Sequence, residues 1–187
     1  AQDDPHTIAQ FKFKDEVEKL SKGRIKVEVY YFQQYAGGNL TDITSQAKLG
    51  VVQMVDTAPA TLSQYDPNMG AVSLPFLFSD DRKALASLDG KGGQLIGTSL
   101  YNTGGYKLLA WQDNGLRNVA MAKHPVRTIA DLKGQKMRVI ASDVNLATYR
   151  ALGANPVGMN ASEMVSALSQ GVIDGIDMPI VPYLTSQ

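Results

Sequence analysis

The sequence predicts an α/β protein built from two doubly wound lobes. Stretches with helical apolar spacing alternate with short stretches of strand alternation, capping and glycine-stop signals separate them, and one helix–glycine–strand unit occurs twice. The register that sets Gly37 against Gly158 also sets Asn39 against Asn160, Asp42 against Glu163 and Ser45 against Ser166. It further aligns Gly50-Val51-Val52 with Gly171-Val172-Ile173, and Asp56 with Asp177. Each copy reads as a capped helix, a glycine stop and a buried strand ending in aspartate. Open α/β sheets bind ligands beyond the carboxyl ends of their strands. One such unit per lobe would therefore place Asp56-Thr57-Ala58-Pro59 and Asp177-Met178-Pro179 on opposite walls of a single cleft.

Taken in order, Pro5 to Leu20 has Ala9, Phe13, Val17 and Leu20 on one helical face, and Lys22-Gly23 stops it. Arg24 to Tyr31 alternates Ile25, Val27, Val29 and Tyr31 against Arg24, Lys26, Glu28 and Tyr30, which predicts a strand. A Gln/Tyr/Gly loop leads to a helix at Thr41–Leu49, ended by Gly50, and to a strand at Val51–Asp56. Asn39-Leu40-Thr41 matches a glycosylation triplet but reads more simply as the entrance of that helix. The proline in Leu74-Pro75-Phe76-Leu77-Phe78 predicts a buried loop rather than a strand. Ser79 is placed to cap a helix through Leu88, with Asp80 and Asp81 in its first turn. Gly90-Lys91-Gly92-Gly93 lacks phosphate-loop spacing and reads as a hinge between helices. A helix at Gly92–Tyr101 and a strand at Tyr106–Trp111 follow. Beyond a crossover, Thr128 and Asp131 have capping-box spacing and Gly134 ends a helix of one turn. Helices at Asp143–Leu152 and Ser162–Gln170 are interleaved with strands at Lys136–Ile140, near Pro156 and at Val172–Ile176.

Composition excludes several classes of function. The 187 residues carry 18 basic and 18 acidic side chains with no Lys/Arg cluster, which argues against nucleic acid or an anionic membrane as partner. With no cysteine there is no disulfide, thiolate nucleophile or Cys-based zinc site. The longest apolar runs are too short to span a bilayer, and the opening residues do not read as a signal peptide, so either one was removed or the chain is expected to begin inside a longer parent. No catalytic constellation emerges: His6 and His124 read as exposed, and there is neither a G-x-S-x-G elbow nor a P-loop. Asp80-Asp81 is explained by helix charge, and Asp174/Asp177 lacks the ligand density of a calcium loop. Cofactor and metal are accordingly expected to be none.

Two arginines stand out around the crossover. Lys136 to Ile140 puts Met137 and Val139 on one face and Lys136 and Arg138 on the other. A mid-strand guanidinium needs an anion, either a protein carboxylate or a ligand. Arg117, nearer the start of the crossover, reads from its residue type as a solvated turn arginine.

Five segments occur in an order that resembles the DctP-type solute receptors of TRAP transporters. They are Leu74–Phe78 (LPFLF), Asn114–Arg117 (NGLR), Asp131–Val139 (DLKGQKMRV), Ala151–Met159 (ALGANPVGM) and Ala167–Gly175 (ALSQGVIDG). The resemblance implies a two-lobed, type II-like periplasmic-binding-protein fold, with residues 1–114 in the first lobe and 115–187 in the second. It also implies a leading strand ahead of Pro5 and further helix and strands after Gln187, so that both lobes are partial here. A protein similar to these would sit in the periplasm, close on a small organic acid and deliver it to the TRAP membrane permease. Arg138 would grip the ligand carboxylate as a two-pronged pair, with Arg117 assisting.

Departures from the family pattern bear on the ligand. Ile176-Asp177-Met178 stands where many relatives have Gln-Glu-Asn, Asn160-Ala161 replaces an aromatic, and Ala120 to Ala122 replaces a Thr/Asn pair. These imply a less polar pocket and a small, partly apolar mono- or dicarboxylate. Met178, Phe76 and the Thr57-Ala58-Pro59 loop would shape the end away from the acid, and Asp177 on the cleft wall would also meet the ligand. An α/β enzyme acting on a carboxylate and the ligand-sensing domain of a regulator are the alternatives. The first would need a base or nucleophile beside Arg138 and the second a helix-turn-helix segment.

Overall fold

The computed structural model describes residues 5–30 and 40–179. Tyr31, Gly37, Asn39 and the loop before the second helix lie outside the described residues. Helix α1 (Pro5–Leu20) is followed by α2 (Leu40–Lys48), the short α3 (Pro59–Leu62), a 3-10 segment at Pro67–Ser73, α4 (Asp81–Asp89) and α5 (Lys91–Gly104). Strand β1 (Arg117–Met121), a 3-10 turn at Ile129–Leu132, β2 (Lys136–Val139), α6 (Asp143–Ala151), β3 (Asn155–Gly158), α7 (Ala161–Ser169) and β4 (Gly175–Pro179) complete the described order.

The four strands form one mixed sheet in the order β1-β4-β2-β3. β2 pairs in parallel with β3 and with β4, while β1 runs antiparallel to β4. Parallel neighbours demand crossovers, and α6 and α7 supply them. Because β3 and β4 lie on opposite sides of β2, crossovers of one hand put the two helices on opposite faces of the sheet. The core divides accordingly. Leu132, Met137, Val139, Tyr149 and Ala154 pack on the α6 face, and Met164, Ala167, Ile173, Ile176 and Met178 on the α7 face. The alternation predicted for Lys136–Ile140 is therefore realised, with Met137 and Val139 fully buried.

Capping signals near the sheet were read well. Thr128 and Asp131 form a reciprocal capping box, and Asp131 also accepts from the Arg127 and Thr128 amides at 2.9 and 2.7 Å. These donors hold its carboxyl below the ordinary range. Part of the repeated unit is visible too: its helix and glycine stop occur in both copies, whereas Val51–Asp56 forms no strand. α2 and α7 occupy equivalent positions in the register, and Gly50 and Gly171 stop them at φ of 76° and 70°, a conformation that favours glycine.

The earlier half departs from expectation at its strands. Within Arg24–Tyr31, Val51–Asp56 and Tyr106–Trp111, no described residue is in a strand. In the first, the Val27 amide donates to the Glu18 carboxylate at 3.0 Å and the Val27 carbonyl accepts from Lys14 Nζ at 2.8 Å. Side chains of α1 thus occupy both ladder positions. The apolar face of α1 is not covered by described residues, since Phe13 is 45% and Leu20 77% exposed. Ser79 is not the cap of α4; Asp80 is, accepting from the Lys83 amide at 2.9 Å, because its carboxylate reaches the third residue of the helix. Leu74–Phe78 is a loop as expected but not a buried one, with Leu74, Phe76 and Leu77 all exposed.

The first half has a third cluster of its own. Leu62, Met69 and Leu100 are buried with Tyr65, Ile96, Tyr106 and Trp111 around them. Tyr106 donates to the Thr44 carbonyl at 2.8 Å, and its ring lies 5.0 Å from that of Tyr65. Gly93, within the predicted hinge, lets α4 and α5 close together: an added Cβ would lie 1.7 Å from the Leu88 carbonyl oxygen and 2.6 Å from Trp111 Nε1. Gly93→Ala is expected to cost at least ~2–3 kcal/mol in urea unfolding, near the top of the usual range for overpacking, because the obstruction includes backbone. An unchanged midpoint would show that the two helices separate freely.

Candidate functional site

The site is organised by β2 and the loops that follow the parallel strands. Arg138 sits between Val157 of β3 and Ile176 of β4 in the register, on the α7 face of the sheet. Its neighbours on that face are apolar, so the side chain is only 4% exposed. Nε donates to the Met159 carbonyl at 2.9 Å. Among the described residues no carboxylate lies within ion-pair distance of the guanidinium, and no acceptor is bonded to its terminal nitrogens. Burial, with the charge of Arg117 adding to it, lowers its pKa to about 10; Asp177 and Glu163 act in the opposite sense.

Beside the guanidinium is a cavity of about 90 Å³. The sheet side is Arg138, Ile140, Ala141, Met159 and Asn160, all from β2 and the loops after β2 and β3. The facing wall is Ala60, Thr61, Ser63 and Gln64, from α3 and its C-terminal end. Thr61 is 6% exposed, and its Oγ1 is buried without a hydrogen-bond partner. Ser63 Oγ donates to the Ala60 carbonyl at 2.6 Å, and Gln64 Nε2 to that of Thr61 at 3.1 Å. The 3-10 segment at Pro67–Ser73 keeps the two walls in register, since Gly70 lies where a Cβ would be 3.1 Å from the Val144 side chain of α6.

The other expected site residues are distributed differently. Arg117 is not in a turn but begins β1. Its Nε donates to Asp177 Oδ1 at 3.0 Å and its Nη2 to the Asp177 carbonyl at 2.6 Å. The pairing of β1 with β4 puts both residues on the α6 face, away from Arg138. Tyr149 lies on that face as well, and burial together with the Asp177 charge raises its hydroxyl pKa. Met178 is 8% exposed within the α7-face core, and Phe76 is 96% exposed at φ 60°. Thr57 and Ala58 lead into α3 without lining the cavity, and Thr57 Oγ1 is buried without a partner. Asp56 turns to α1, where Gln10 donates to it at 3.0 Å and the His6 ring lies 3.5 Å away. Those contacts hold its carboxyl below the ordinary range against the effect of burial. His6 is therefore half-buried rather than exposed, while His124 is exposed as expected.

Sequence reasoning missed Thr61, Ser63 and Gln64. Pro59 after an extended Ala58 is a helix-start signal that could have drawn attention to them. Among the described residues no group of three or more His, Asp or Glu side chains could hold a metal ion.

Comparison with known proteins adds to this geometry. The family described as Bacterial extracellular solute-binding protein, family 7 (DctP) matches residues 1–187. The 2,3-diketo-L-gulonate-binding periplasmic protein YiaO of Escherichia coli is 35% identical over 180 residues, covering 96% of this chain and 54% of that protein. A TRAP periplasmic solute-binding protein from Polaromonas, solved with D-erythronate, superposes with a TM-score of 0.93 at 31% identity, covering 99% of this chain and 60% of that one. Another from Sulfurospirillum deleyianum, solved with succinate, gives 0.90 at 28% identity, covering 100% and 59%. The chain thus spans little more than half the length of the relatives it matches.

Proposed function

The chain belongs to the DctP family of bacterial extracellular solute-binding proteins, a family of receptors rather than enzymes, and from that premise we propose that it binds a small organic acid through Arg138 for uptake by a TRAP permease. One observation supports this above the others: among the described residues, a nearly buried guanidinium beside a cavity has no carboxylate paired to it. Burying such a charge unpaired is costly, and a ligand carboxylate would relieve the cost while matching the planar fork through two parallel hydrogen bonds. The relatives fit the same chemistry, being binders of 2,3-diketo-L-gulonate, D-erythronate and succinate.

In this proposal residues 1–114 and 115–187 belong to the two lobes of a periplasmic receptor, and the cavity between α3 and the sheet is the part of the cleft they share. Acid bound to Arg138 draws the α3 wall towards it, and the closed population rises only by the difference in affinity between the two states. Arg117 and Asp177 serve as a framework pair on the other face of the sheet. Thr57 and Ala58 act by placing α3, and Met178 by packing beneath the arginine. Phe76 takes no part in the cavity. A thermal-shift screen of organic acids, at the full encoded length of the protein, tests the proposal. Stabilisation by carboxylic acids, absent with the matching amides, is expected. Equal response to acid and amide would refute it.

Titration gives a second check. The folded-state pKa of Arg138, about 10, lies below the ordinary 12.5, so between those values the folded protein holds fewer protons than the unfolded chain. The contribution of this group to stability therefore rises as pH climbs through about 10. Acid binding needs the charged form, so affinity is expected to be flat from pH 7 to 9 and to fall above about 10. A loss centred near neutral pH in calorimetry would assign the anion to some other group.

A further inference from the structure

We infer that the cavity selects a short monocarboxylate carrying hydroxyl or keto oxygens over a dicarboxylate of the same length. This rests on the assignment of the ligand carboxylate to Arg138 and concerns the opposite end of the ligand. Charge is the first argument. Arg138 is the one cation on the cavity wall among the described residues, while Arg117 lies on the other face with Nε and Nη2 both bound to Asp177. A second ligand carboxylate would lose its hydration with no cation to receive it.

The second argument is the chemistry of the facing wall. Thr61, Ser63, Gln64 and Asn160 are neutral and polar. The Ser63 hydroxyl hydrogen is engaged by the Ala60 carbonyl and the Gln64 amide by that of Thr61, so both residues have acceptor oxygens left to offer. Asn160 does not use its side chain to cap α7. Such a wall suits ligand hydroxyls and ketones, which pair with neutral groups, and not a second anion or a bare hydrocarbon end.

The cavity is also small, at about 90 Å³, which favours short acids.

Three four-carbon acids, measured by calorimetry on the protein at its full encoded length, test the inference: 2,3,4-trihydroxybutanoate, butanoate and succinate. The trihydroxy acid is expected to bind at least about tenfold more tightly than either of the others, since a site built for hydroxyls discriminates against analogues lacking them. Asn160→Leu, which replaces the carboxamide on the cavity wall by an apolar side chain of similar size, is expected to reduce the advantage of the trihydroxy acid over butanoate by about fivefold, and Asn160→Gln to restore part of it. Succinate binding as tightly as the trihydroxy acid overturns the inference, as does Asn160→Leu weakening all three acids equally. Selectivity in the unsubstituted protein decides on its own if the leucine variant folds poorly. Failure of all three acids to bind, with Arg138→Lys making no difference, would instead bring down the carboxylate assignment.

Discussion

Arg138→Met is expected to abolish acid binding while raising the stability of the unliganded protein. The two effects have one origin. The guanidinium is desolvated on the α7 face of the sheet, and among the described residues only the Met159 carbonyl engages it, so without ligand it opposes folding. Replacing an unpaired buried charge by an apolar side chain of similar length should add ~1–4 kcal/mol in urea unfolding. Removing the partner of a bound carboxylate should cost ~3–5 kcal/mol of binding, or roughly two to four orders of magnitude in affinity. Arg138→Lys keeps the charge but not the fork, and is expected to lose at least about tenfold. Calorimetry and equilibrium unfolding on the same samples separate the two quantities. A methionine variant that binds acid normally, or fails to bind only because it is less stable, contradicts the assignment.

The opposite pattern is expected on the other face of the sheet. Asp177→Ala leaves Arg117 without its carboxylate in the ladder that joins β1 to β4. Breaking a buried pair from one side costs ~3–5 kcal/mol. For a chain of this length that lowers Tm by roughly 6–20 °C. The Arg117 side chain is 34% exposed, so water relieves part of the loss and the lower end is the better expectation. Replacing both residues by leucine should recover most of the stability. Acid affinity in Asp177→Ala, measured below its melting range, should change by no more than about threefold. A loss like that of Arg138→Lys would instead make Asp177 and Arg117 part of the ligand site.

The sheet and its two crossover helices were legible in the sequence, and the reasons are local. Arg138 alternates with Met137 and Val139, the Thr128 box and Gly134 mark a sharp turn, and β2 and β3 are each followed by an amphipathic helix. Strands of the first half were not legible in the same way, because a strand exists only with a partner. Ile25 to Val29 has the right alternation, yet its polar groups at Val27 are satisfied by Lys14 and Glu18 of α1. Leu74–Phe78 shows the limit of composition, since its apolar run predicts burial and Leu74, Phe76 and Leu77 are instead exposed. At the site, residue type alone identified Arg138 as needing an anion but could not say which. The same logic misplaced Arg117, whose partner Asp177 was assigned to a cleft wall. The polar wall of α3 escaped because Pro59–Leu62 is one helical turn, too short for any periodicity to register.

The most direct test of the account is a crystal structure of the protein with a bound four-carbon hydroxy acid. The expected result is a carboxylate with both oxygens about 3 Å from the terminal nitrogens of Arg138, and with Arg117 still held by Asp177. A carboxylate bound to Arg117 with Asp177 displaced, and Arg138 left only on the Met159 carbonyl, would contradict it.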